Sequence, residues 1–133
     1  MIAEIEEAIV SALRESEVID FNDSSIMIAT DNIDALGALV ASGGITVQYG
    51  GSTLTQPLAN GVNIRRQLLF VVSVGRKGLT DKRRLTDDIE SVVSVLTSQR
   101  IGDSILTWRD DRFAQVRNGV FWHDLTFQST VVA

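Results

Sequence analysis

The run Leu68-Leu69-Phe70-Val71-Val72 restricts the fold more than any other stretch of this chain. It lies within a segment, Asn63 to Val74, that is apolar on both sides. Leu68, Phe70, Val72 and Val74 line one face, and Leu69 and Val71 line the other. Successive strand side chains point to opposite faces, so this segment reads as a central strand covered on both sides over at least part of its length. The run is far shorter than the ~18 apolar residues a membrane helix needs. With 133 residues, the chain corresponds to one domain, 1–133, at roughly 100–200 residues per domain.

The segments around that strand alternate between helical and strand periodicity. Ile2, Ile5, Ile9, Ala12 and Leu13 form one stripe at helical spacing, opposite Glu4, Glu7, Ser11 and Arg14. Ser16 to Ser25 is irregular, and Ile26-Met27-Ile28-Ala29 is either a short strand or an extended connection. A second helix starts at an Asp31 or Asn32 cap and carries Ile33, Leu36, Leu39 and Val40 to a stop at Gly43-Gly44. Ile45 to Tyr49 alternates as a half-buried strand, and Gly50 to Gly61, with the chain's one proline at Pro57, reads as a loop.

Gly75 to Leu79 turns, and Thr80 caps a main helix from Asp81 to about Arg100, striped by Leu85, Ile89, Val92, Val93 and Leu96. Ser104 to Trp108 reads as a strand and Arg109-Asp110-Asp111-Arg112 as a polar turn or strand bend. Phe113 to Val132 is a β-hairpin, because Asn118-Gly119 supplies the two positive φ angles of a type I′ turn. The expected fold class is α+β: a largely antiparallel mixed sheet of about four to six strands packed by about three helices.

Composition narrows the chemistry. The absence of cysteine removes disulfides, thiolate nucleophiles and cysteine-ligated metals. The N-terminal residues are acidic and lack the basic, apolar pattern of a secretion signal, which points to the cytoplasm. Charge is segregated: residues 1–34 hold nine acids and one base, and residues 62–84 hold seven bases and one acid. Such poles either neutralise each other within the fold or meet head to tail between identical subunits.

No residue pattern points to catalysis, a cofactor or a metal. His123 is the one imidazole. Its neighbour Asp124 points to the other face of the strand and cannot orient it, so His123 reads as a half-buried strand residue. Asp87 and Asp88 diverge by about 100° on a helix, and Asp110-Asp111 between two arginines reads as a screened turn. Gly75-Arg76-Lys77-Gly78 matches the GxxG of KH domains, but it follows a strand, whereas the KH loop joins two helices. No P-loop, dinucleotide-binding, nucleophile-elbow or zinc-protease signature is present.

Four stretches taken together resemble a family of small tail proteins of Mu-like phages and prophages. They are Ile2-x-x-Ile5-Glu6-x-Ala8-Ile9, Gly44-Ile45-Thr46-Val47-Gln48-Tyr49-Gly50-Gly51-Ser52, Arg66-Gln67-x-x-x-Phe70-x-Val72-x-Val74, and Val120-Phe121-Trp122-His123-Asp124-Leu125-Thr126-Phe127. The resemblance spans essentially the whole chain in the same element order. It implies a tail-terminator-like fold, similar to the tail terminator of phage lambda. It also implies a non-enzymatic structural role: a ring, typically hexameric, that caps the tail tube and meets the head. The implied partners are further copies of the chain, the tail tube protein and a head-completion or neck protein, with no membrane and no specific nucleic acid. The implied location is the host cytoplasm and then the virion tail.

The family transfers no individual functional residues, so candidate contacts rest on charge and loop length. They are Arg76, Lys77, Lys82, Arg83 and Arg84 in the basic patch, Glu4, Glu6 and Glu7 in the acidic helix, and Gln56, Pro57 and Leu58 in the loop. The rival readings are another neck or baseplate component, a nucleic-acid-binding module using the Arg76–Arg84 patch, and a small hydrolase around His123. Retention on heparin that falls steeply with salt separates the nucleic-acid module from the others.

Overall fold

A computed structural model of the chain describes residues 1–57, 64–78 and 84–132, with the side chains of 54–57, 64–65 and 130–132 excepted. The elements in chain order are α1 (Ile2–Glu15), a 3-10 turn (Asp23–Ser25), β1 (Ile26–Ile28), α2 (Ile33–Ser42), β2 (Gly44–Pro57), β3 (Ile64–Arg76), α3 (Leu85–Thr97), β4 (Thr107–Arg117) and β5 (Val120–Val132). The strands form one five-stranded sheet in the order β1-β2-β3-β5-β4. β1 pairs parallel with β2, and every other pairing is antiparallel. The fold is α+β, with three helices among the described residues.

The double-faced strand is β3, at the centre of that order. Its Leu68, Phe70, Val72 and Val74 are fully buried in one cluster with Ile5, Ile9 and Leu13 of α1 and Val92 and Leu96 of α3. Ile45 and Val47 of β2 and Leu125 and Phe127 of β5 complete this principal core. Within it the Tyr49 and Phe70 rings lie tilted at 58° with centroids 5.8 Å apart, a favourable aromatic arrangement.

Among the described residues, the opposite face is covered at one corner only. There Leu39 of α2 packs with Met27, Val120 and Trp122 in a smaller cluster. Leu69 and Val71, on the same side of β3, stay half-buried. The second coat expected for β3 is therefore partial.

Local signals set the helix and hairpin ends. Asn32 Oδ1 accepts hydrogen bonds from the amides of Asp34 and Ala35, each at 3.0 Å, and opens α2. Gly43, at φ +95°, closes it. Asn118 and Gly119, at φ +53° and +77°, make the tight turn between β4 and β5.

Three expectations need correction. Residues 50–57 are not loop, because β2 runs on to Pro57, which pairs with Ile64. Register shifts at Tyr49/Gly51 and Leu54/Gln56 break the alternation that would have revealed the strand. Arg109 to Arg112 belongs to β4, which excludes a turn there, and Ser104 bridges Ile101 outside that strand. Bulges after Trp108 and Phe113 hide its period, and charges on an edge strand face water. The main helix is described from Leu85 to Thr97, with Arg84 as N-cap and Ser98 as C-cap. The Thr80 cap lies outside the described residues.

Gly75 of β3 lies against Trp122 of β5, and a Cβ there would sit 2.5 Å from the indole ring. Gly75→Ala should therefore destabilise the fold by about 1–3 kcal/mol through overpacking. Adding Trp122→Leu should make the double variant lose less than the sum of the two single losses, as read by urea unfolding.

Candidate interaction surfaces

Arg76, the last residue of β3, enters the interior. Its guanidinium pairs with Asp88 of α3 through Nε–Oδ2 and through Nη2–Oδ1 at 3.0 Å. Nη2 also donates to the carbonyl oxygen of Asp20 at 3.2 Å and to its carboxylate at 3.1 Å. The guanidinium carbon lies 4.6 Å from the centre of the Phe21 ring, within cation–π range. The side chains of Arg76 and Asp88 are only 8% and 1% exposed, whereas Asp20 is 58% exposed.

Burial acts to lower the Arg76 pKa, but hydrogen bonding and charge from Asp88 and Asp20 outweigh it, and the value rises. A raised value in the folded state means the stabilisation is whole at neutral pH and fades only as pH climbs through the guanidinium range.

Glu6 is also engaged within the chain. Its carboxylate accepts a hydrogen bond from the Tyr49 amide at 3.0 Å, beside the bulge in β2. Arg14, the lone base of the acidic segment, donates to the carbonyls of Ile26 and Asp23 and ties α1 to the edge strand.

The remaining candidate contact residues are dispersed. Glu4 and Glu7 are exposed on α1, and Lys77 and Arg84 are exposed on either side of the segment joining β3 to α3. Gln56 and Pro57 sit at the far end of β2, paired with Arg65 and Ile64. Lys82, Arg83 and Leu58 lie outside the described residues. The basic patch is thus not one surface: Arg76 faces inward while Lys77 and Arg84 face solvent.

His123 pairs with Asp111 of β4, Nε2 to Oδ1 at 2.6 Å. Asp124 accepts instead from Ser73 Oγ at 2.6 Å. Because 123 and 124 point to opposite faces of β5, these two polar pairs are separated by the sheet and form no relay. Among the described residues, no group of three or more His, Asp or Glu side chains converges as metal ligands would.

Sequence reasoning missed an apolar stripe on the hairpin. Trp108, Phe113, Val116 and Phe121 are all about half exposed, and the register puts them on one face with His123. A bent reading of Arg109–Arg112 concealed it. Phe113 and Phe121 line a groove of about 520 Å³ with Leu85, Gly78, Arg84 and Arg76. Ile33, expected on the buried stripe of α2, is instead 84% exposed. Only Leu39 of that helix is fully buried.

Against this geometry, one solved structure aligns over almost the full length. It is a chain of the "Virion of native gene transfer agent (GTA) particle", with a TM-score of 0.63, covering 96% of this chain and 94% of that one at 16% sequence identity. The likeness is one of fold. No family model matches the chain. No curated protein matches it either. No helix among the described residues is long and apolar enough to cross a membrane.

Asp88→Ala should cost about 3–5 kcal/mol, because it leaves a buried guanidinium without its main counter-charge. Asp20→Ala, at the exposed partner, should cost less than about 1 kcal/mol. Chemical denaturation of the two variants at neutral pH measures both.

Proposed function

We propose that this chain is a structural protein of a phage-like particle, a tail terminator that caps the tail tube as a hexameric ring and joins it to the head. The observation that carries this reading is the likeness of fold, nearly end to end, to a chain of a gene transfer agent virion. The motifs that resemble small tail proteins of Mu-like phages support the same reading. On this account the chain works by binding and not as an enzyme, needs no cofactor, and acts in the host cytoplasm before joining the virion. Its partners are copies of itself, the tube protein and a head-completion or neck protein.

The surface suits such a role. A ring subunit needs one patch for each neighbour and separate faces for the tube and the neck. The hairpin carries large apolar side chains that a solitary domain would ordinarily bury, and contiguous exposed apolar patches mark interaction sites. The nucleic-acid reading is weaker, because Arg76 at the start of its basic patch is committed to Asp88 and Asp20.

Native mass spectrometry across a concentration series should give a closed species of six 14.5 kDa chains. A strict monomer that is retained on heparin and released steeply with salt would overturn the proposal in favour of nucleic-acid binding.

A further inference from the structure

Two apolar features of this chain have no complement among the described residues. The first is Ile33, at the first turn of α2, flanked by the exposed carboxylates of Asp31 and Asp34. The second is the groove between the start of α3 and the β4–β5 hairpin, floored by Leu85, Phe113 and Phe121. Two bases, Arg76 and Arg84, line it, and Arg84 is exposed. The Asp87 carboxylate accepts the Arg84 amide at 2.8 Å, and Asp88 and Asp20 pair with Arg76.

Topology keeps the two apart in a single chain. Ile33 follows β1, which is one edge of the sheet, whereas Phe113 lies on β4, the other edge. Four inter-strand steps of about 4.8 Å separate those edges, some 19 Å in all. The two sites also lie on opposite sides of the sheet. α2 packs with Met27 and Trp122, and α3 packs with the principal core on the other face.

We infer that Ile33 of one copy seats in the Leu85/Phe113/Phe121 groove of the next copy, with Asp31 and Asp34 facing Arg84. The occupant is a second copy of this chain because the same molecule supplies both complements: an apolar knob in an acidic setting and an apolar groove in a basic one. Joining two different patches makes the contact head to tail, the geometry that closes rings or propagates filaments. The inference rests on the proposed ring and names the contact that builds it.

The test uses two variants of the full chain. Ile33→Glu removes the knob and keeps the groove, and Phe113→Glu charges the groove and keeps the knob. Both positions are exposed, 84% and 56%, so circular dichroism should match the parent. The parent should assemble, and each variant alone should associate at least about tenfold more weakly. An equimolar mixture should form a dimer and nothing larger, because one intact contact leaves a disabled patch at each end.

A parent that stays monomeric to millimolar concentration, a single variant that assembles like the parent, or a mixture that stays monomeric would each overturn the inference. The tail reading fails separately. If these variants behave as stated but the parent ring ignores tube ends, the contact stands and the terminator role falls. If the parent caps tubes and the Ile33→Glu variant does so equally well, the role stands and the contact falls.

Discussion

Three separated parts of the chain meet at one buried guanidinium. Arg76 ends the central strand, Asp88 sits in the first turns of α3, and Asp20 and Phe21 belong to the irregular stretch between α1 and β1. A cation with so little contact with water is tolerable only when it is paired, and here two carboxylates and a backbone carbonyl accept from its Nε and Nη2. The pairing fixes where α3 begins relative to the sheet. It also holds the connection from α1 over the mouth of the principal core. The groove beside Leu85, Phe113 and Phe121 adjoins this point, because Arg76 is one of its lining residues.

Much of the framework is legible in the sequence because it depends on local periodicity. The α1 stripe of Ile5, Ile9 and Leu13 is buried as its spacing requires. The two-faced run in β3 lies at the centre of the sheet. Asn118-Gly119 makes the turn that its positive φ angles allow. What escaped was non-local. β2 and β4 each carry two register shifts, and each shift reverses the side-chain alternation that betrays a strand. Only pairing with β3 and β5 keeps those segments extended.

The candidate contacts were harder to read for the same reason. A run of bases looks like a surface until its partners are known, and Arg76 has its carboxylates 12 and 56 residues away. One signal was present. Asp88 falls four residues before Val92 on the buried stripe of α3, and a carboxylate on an apolar stripe implies a buried counter-charge. Glu6 gave no such sign, since its hydrogen bond to Tyr49 spans 43 residues. Ile33 follows the helical stripe in sequence, yet β1 is only three residues long and the described residues leave Ile33 exposed at the first turn of α2.

A sheet whose principal face is left open along β4, and whose other face the described residues cover at one corner, leaves a domain with apolar surface to spare, and assembly is the economical use of it. The central claim, that this chain ends a tail tube, is tested most directly by electron microscopy of tubes polymerised from their tail tube protein with and without it. The account predicts tubes of arrested growth bearing a ring at one end. Tubes that keep growing with bare ends in the presence of the assembled protein would contradict it.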